Sequence, residues 1–234
     1  VGMPGEAIAA GYLGSIVQDL ALIQSMGVQI VLVHGFRPQI NEQLEAKNLQ
    51  SVFSHGVRLT DSAALDAAQE AAGQLRFEIE AAFSQGLPNT PMADSTVRVI
   101  SGNFITARPM GIVDGVDFKH SGVVRKVDTA FIRRTLDMGA LVLISPFGFS
   151  PTGEAFNLAM EEVATSVAIA LKADKLVFFT EIDGIRVRPF EPAAEDNPID
   201  TELSLADARR LLAALPQEQA RLPDLNSTAP DFYL

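Results

Sequence analysis

The sequence predicts an α/β domain built on a mostly parallel sheet with helices on its faces. Short apolar runs rich in β-branched residues, such as Val28-Gln-Ile-Val-Leu-Val33 and Ala140-Leu-Val-Leu-Ile-Ser145, alternate with longer stretches of helical periodicity. Two of these strands follow at once on a helix that a glycine ends, Gly27 before the first and Gly139 before the second. With 234 residues, 47% of them hydrophobic, the chain can fill one large core or two small ones.

In chain order, Val1 enters inside a strand. A helix from about Gly11 to Met26 presents Leu13, Ile16, Leu20 and Ile23 on one face. Val28–Val33 then reads as a strand buried on both sides. A long helix runs from Asp61 to Gln85, with Thr60 or Asp61 as its N-cap. Between Val97 and Val127 the texture changes. Val97–Gly102, Phe104–Arg108 and Val123–Val127 alternate apolar with polar residues between Gly- and Asp-containing turns. That pattern predicts antiparallel strands or hairpins at one side of the main sheet.

The helix–glycine–strand grammar returns with Asp128–Met138, Gly139 and Ala140–Ser145, and a further helix spans about Glu161 to Lys172. Lys175–Thr180 is expected as another strand buried on both faces, and Pro189–Asp200 as a loop. Ser204-Leu-Ala-Asp207 starts a last helix to about Leu215, and Pro216–Pro230 reads as a linker. There is no internal repeat. A start without methionine and a stop at Phe232-Tyr-Leu234 lead to the expectation of a single domain incomplete at both ends.

Composition narrows the function. The absence of cysteine excludes disulfides, zinc–thiolate sites and thiol nucleophiles, and fits a cytoplasmic protein. The net charge of −11, with −6 of it on residues 191–234, repels a phosphate backbone, so no nucleic-acid partner is expected. No apolar run reaches the ~18 residues of a membrane span. The three histidines, His34, His55 and His120, have no neighbouring ligand at helix spacing, so no metal site is expected. His34, at a strand end, reads as structural. Glu161-Glu162 at a helix start is explained by the helix dipole.

Ligands of parallel sheets bind beyond the carboxyl ends of the strands, and three segments lie there. In His34-Gly-Phe-Arg-Pro38, Gly35 permits close backbone approach, Arg37 adds charge, and a helix opens near Pro38. An ordinary βα turn is an equal alternative. In His55-Gly-Val-Arg-Leu-Thr-Asp61, Arg58 beside a helix N-terminus can grip a carboxylate; a surface arginine, or one paired with Asp61, is the plainer alternative. In Gly153-Glu-Ala-Phe-Asn157, Asn157 can hydrogen-bond an amide or carboxylate, or merely cap the next helix.

In order, these segments resemble the amino-acid-kinase fold family, in particular the acetylglutamate kinases and the kinase-like half of bacterial N-acetylglutamate synthases. The likeness runs from Val1 to about Arg186. It implies a three-layer α/β/α fold with a mostly parallel central sheet, and a pocket in which Gly35, Arg58 and Asn157 hold an acyl-amino acid. Where the kinases have a lysine this chain has Met3, and where they have phosphate-loop glycines it has Phe36 and Arg37. Where they have an organising acid it has the longer Glu161. Phosphoryl transfer rests on such groups, so no catalysis is expected of this chain.

Longer runs point to the synthases: Pro4-Gly-Glu-Ala-Ile8, His34–Asn41, Val99–Ile105, Asp114–Phe118 and Gly153–Glu162. That resemblance implies a regulatory and oligomerising domain. It implies a homo-oligomer, L-arginine as effector of the whole protein, and N-acetylglutamate or glutamate as ligand. Acetyl-CoA would be the substrate of an acetyltransferase domain outside this chain, and no cofactor is expected on the chain itself. The rival readings are an acetylglutamate kinase using ATP, and a ligand-free interaction module with the pocket filled by Phe36 and Phe156.

Overall fold

The computed structural model describes residues 1–54, 56–85, 97–180, 182, 184–186 and 198–214. The chain divides into two compact units, Val1–Phe179 and Thr180–Leu234.

The first unit is organised by four parallel strands, β1 (Gly2–Met3), β2 (Val31–His34), β5 (Val99–Ser101) and β10 (Leu141–Ile144), in the order β1-β2-β10-β5. The central strands are apolar on both sides, and their alternation divides the core in two. Leu32, Leu141 and Leu143 join Met3, Ile16, Val17 and Leu20 in one cluster; Val33, Val142 and Ile144 join Ile132, Val163 and Val167 in another. The sheet is therefore the middle layer of three, as expected.

On the first face lie α1 (Gly5–Ala9), α2 (Leu13–Ser25) and the far end of α4 (Ser62–Ser84), whose Ile79 and Phe83 enter that cluster. α5 (Thr129–Asp137) and α6 (Met160–Leu171) cover the other. Capping follows the local chemistry. Asp61 accepts the Ala64 N–H at 2.9 Å to start α4, and Asp128 accepts the Phe131 N–H at 3.0 Å to start α5. Gly27 and Gly139 end their helices at φ +93° and +77°, where a side chain would be strained.

The helix expected from about Gly11 to Met26 is α2; α1 before it was not expected, and Gly11 turns at φ +84° between the two. Four expectations need correction. The buried stripe of α2 is Ile16, Val17, Leu20 and Ala21, so Ile23 falls at its margin and is exposed. Val28 still belongs to the helix exit, its N–H bonded to Ile23 O, and β2 begins three residues later. Val99–Ser101 is a strand of the parallel sheet, not of a hairpin. Lys175–Thr180 is not buried on both faces. It makes one bridge to Gly2, outside β1, and leaves Leu176, Val177 and Phe178 exposed.

A second sheet, in the order β12-β11-β6-β9, supplies the antiparallel part: β6 (Ile105–Pro109) with β9 (Gly122–Val127), and β11 (Phe147–Phe149) with β12 (Ala155–Asn157). The short pairs β3 (Phe53–Ser54)/β4 (Val57–Arg58) and β7 (Ile112–Val113)/β8 (Val116–Asp117) are hairpins. Glu162 does more than face a dipole, since its carboxylate accepts the Val124 N–H at 2.8 Å and ties α6 to β9. α3 (Arg37–Ala46) follows β2 and packs on α4 through Ile40 and Leu44.

In the second unit, α7 (Leu205–Ala214) starts as expected, with Ser204 and Asp207 capping each other. Residues 189–197 and 215–230 of the expected loop, helix end and linker lie outside the described residues. Among the described residues no helix is long and apolar enough to cross a membrane.

Candidate functional site

β1 and β2 end side by side, Met3 opposite His34, and the turns that follow lie against each other. The Gly35 N–H donates to Met3 O at 2.7 Å, and Gln39 Nε2 donates to Gly5 O at 3.0 Å. A Cβ on Gly35 would stand 2.9 Å from the Gly5 nitrogen, and one on Gly5 would stand 2.9 Å from Phe36 Cα. Each glycine thus makes room for the other turn. The close approach expected of Gly35 is made here by protein backbone.

Above this joint the ring of Phe36 is buried and stacks on Phe147, centroids 5.6 Å apart. It meets the His34 ring edge-on at 6.0 Å. His34 is wholly buried, with Nε2 2.8 Å from Ser145 Oγ at the end of β10. Burial pushes its pKa down to about 4, with the Gly35 carbonyl opposing weakly, so the ring is neutral and joins two strands. Met3 is also wholly buried. A nucleotide phosphate needs backbone N–H groups and a cation at such a turn. Arg37 and the uncapped start of α3 lie at this turn, but Met3 and the buried stack of Phe36 on Phe147 occupy the space beside them.

The second cluster is polar. Arg58 ends β4 opposite Phe53 and is only 7% exposed. Its guanidinium donates to Asn41 Oδ1 at 2.8 Å and to Ser51 Oγ, and lies 4.6 Å above the Phe53 ring. Ser51 in turn donates to Asn41 Oδ1 at 2.7 Å. Among the described residues no carboxylate pairs with Arg58, and Asp61 serves α4 instead. Burial, and then the charge of Arg37, lower the Arg58 pKa to about 10. A guanidinium kept among neutral oxygens is short of an anion.

Behind Arg58 a hydroxyl network leads to Asn157. Ser121 Oγ donates to the Arg58 carbonyl and accepts the Thr60 N–H at 3.1 Å. The Thr60 and Ser121 hydroxyls are 2.9 Å apart, and Asn157 Nδ2 donates to Thr60 Oγ1 at 3.2 Å. Asn157 is no helix cap, for it ends β12, with its N–H on His120 O, and Ala159 caps α6.

Arg58 and Asn157 therefore belong to one network, while Gly35 belongs to the packed joint. α3 touches both, with Phe36 at its start and Asn41 one turn on. His55 lies outside the described residues. Sequence reading missed Asn41, Ser51, Thr60 and Ser121; the one signal was that a buried arginine needs oxygens. A pocket of about 170 Å³ beside Asp61, Leu49 and Lys119 shares only Ser51 with this network.

Curated relatives are amino-acid acetyltransferases. That of Ralstonia nicotianae is 58% identical over 188 residues, 80% of this chain and 42% of the relative; that of Vibrio atlanticus is 46% identical over 223 residues, 95% and 48%. The chain spans less than half the length of either. Among solved structures it is similar to N-acetylglutamate synthase from Neisseria gonorrhoeae complexed with coenzyme A and L-arginine. There the TM-score is 0.81 at 36% identity, covering 94% of this chain and 50% of that one. Carbamate kinase from Giardia lamblia, bound to AMP-PNP, has a TM-score of 0.64 at 15% identity over 91% of this chain and 79% of that one, a likeness of fold alone. The match of residues 2–214 to the model of the amino acid kinase family places this chain in that family.

Proposed function

We propose that this chain is the kinase-like regulatory and oligomerisation domain of an N-acetylglutamate synthase. The parent enzyme would acetylate L-glutamate from acetyl-CoA in the first step of arginine biosynthesis, in the cytoplasm, with L-arginine as its effector. The chain would form a homo-oligomer and transmit ligand state to an acetyltransferase domain that lies outside it. The observation that carries this reading is Phe36, stacked on Phe147 where a kinase of this fold handles phosphate. A member of the kinase family with that end packed shut is suited to binding, not phosphoryl transfer. The amino-acid acetyltransferase relatives support the choice of parent.

Within the domain we assign a residual acyl-amino-acid site to Gly35, Arg58 and Asn157. Arg58 would take a carboxylate in a forked pair, and Asn157 would donate to a carbonyl or carboxylate oxygen. Gly35 would set the turn that borders them. N-acetylglutamate and glutamate are the ligands of this class. The structure of the Neisseria synthase complexed with coenzyme A and N-acetyl-glutamate, 36% identical to this chain, supports that choice.

The test is acetyl-CoA-dependent acetylation of glutamate by the complete parent chain, beside this chain alone, with and without arginine. Activity of the parent, its inhibition by arginine and an inert chain are the expected results. A parent without acetyl transfer would overturn the reading. ADP formation by this chain that depends on N-acetylglutamate would favour the acetylglutamate kinase instead.

A further inference from the structure

We propose that the pocket between the end of α3 and the start of α4 is a second binding site, and that it takes a small aliphatic α-amino acid as its zwitterion. The site stands apart from the Arg58 cluster and does not depend on what that cluster binds.

The pocket has a volume of about 170 Å³. Its apolar walls are Leu44 of α3, Leu49 and Val52 from the strap that follows, Leu59 after β4, and Ala64 in the first turn of α4. Leu49 and Val52 are 41% and 58% exposed, so apolar surface of the strap is left to water. A dry cavity of about 150 Å³ with aliphatic walls takes a benzene-sized ligand, so this one suits a molecule of the size of valine or leucine. Its lining favours a branched hydrocarbon chain over a charged or amide one.

Two opposite charges complete the site. Asp61 and Lys119 both line the pocket. The main chain ties their segments together, since Thr60 bridges to Lys119 and the His120 N–H donates to Thr60 O at 2.9 Å. Yet they form no ion pair with each other or, among the described residues, with any other charge. Asp61 gives one oxygen, Oδ1, to the Ala64 N–H. Lys119 is fixed at φ +52°, a left-handed conformation uncommon for lysine, with its own N–H on Asp117 Oδ1. The Ser51 hydroxyl on the same wall is committed to Asn41 and Arg58. A carboxylate and an ammonium on one apolar pocket match the ammonium and carboxylate of an amino acid in two charge-assisted contacts. An acid without the amine, or an amine without the acid, satisfies only one of them and brings a like charge to the other.

Isothermal titration of the 234-residue chain with L-leucine, 4-methylpentanoate (leucine without its ammonium) and 3-methylbutylamine (leucine without its carboxylate) tests this. Leucine should bind about tenfold or more tightly than either fragment, the scale of one charge-assisted contact. Lys119→Met should bring leucine down to the level of the amine. Asp61→Asn keeps an oxygen to cap α4 and should bring leucine down to the level of the acid. Melting temperatures confirm that both variants fold, and the comparison of the three ligands on the wild type needs no variant. Equal binding of leucine and its fragments overturns the proposal, as does no binding of leucine, or full leucine affinity in either folded variant. L-Phenylalanine or L-arginine binding as tightly as leucine overturns it as well, since neither side chain suits an aliphatic pocket of this size.

Discussion

The two clusters that α3 touches differ in kind. At one end Phe36, Phe147, Met3 and a neutral His34 fill the space with protein, and two facing glycines let the turns close on each other. At the other, Arg58 lies among Asn41, Ser51 and an aromatic ring, with its acidity raised by burial and by Arg37. The first end is satisfied by its own residues. The second holds a charge that the described chain does not neutralise. Packing at one end and charge at the other are thus set by different residues.

The comparison is broken most severely by emptying the packed end. Phe36→Ala removes a buried ring from between Phe147 and His34 and should cost about 3–5 kcal/mol, read as a lower denaturant midpoint at unchanged m-value. Phe36→Leu should cost much less. Equal losses would mean that ring stacking, and not volume, holds the joint.

His34 gives the next largest effect. Its folded pKa of about 4 lies below the ordinary 6.5, so the unfolded chain binds the extra proton first on acidification. The stability from this group is full above pH 6.5, falls as pH drops from 6.5 to about 4, and levels off below. The loss is about 3 kcal/mol by the linkage of one pKa unit to 1.36 kcal/mol. Subtracting the stability–pH curve of His34→Gln from that of the wild type should isolate this step. A difference that stays flat across the window would show that His34 is not held neutral.

Gly35→Ala should cost about 1–3 kcal/mol, because its Cβ would stand 2.9 Å from the backbone nitrogen of Gly5, which cannot rotate away. An unchanged melting temperature would mean that the joint is loose enough to admit a ligand.

Much of the fold could be read beforehand where local chemistry decides it. α4 and α5 begin at aspartates that cap them, and α5 ends at a glycine with positive φ before a wholly buried strand. The edge position of Lys175–Thr180 could not be read, since an apolar run looks the same at the centre or the margin of a sheet. The hairpin of β11 and β12 was not expected; its Gly148 lies where Ala107 presses close, a Cβ there standing 2.5 Å away. Arg58 was legible as a cation ahead of a helix. Its network was not, because Asn41 lies 17 residues away and Ser121 lies 63, and only tertiary packing chooses such partners.

The smallest expected change in stability belongs to the charged end, and it sharpens the contrast most. Arg58→Met keeps much of the buried stem and removes the cation. Asn41 and Ser51 remain bonded to each other, and the repulsion from Arg37 disappears. Replacing a buried charge by an apolar side chain of similar length is often neutral, so stability should move by only about 1 kcal/mol in either direction. If the proposed acyl-amino-acid site is real, N-acetylglutamate should raise the melting temperature of the wild type and not that of the variant. A large loss of stability, with ligand protection retained, would show that Arg58 is a structural arginine. A near-neutral change with protection lost would mean that this residue is kept in the interior for what it binds.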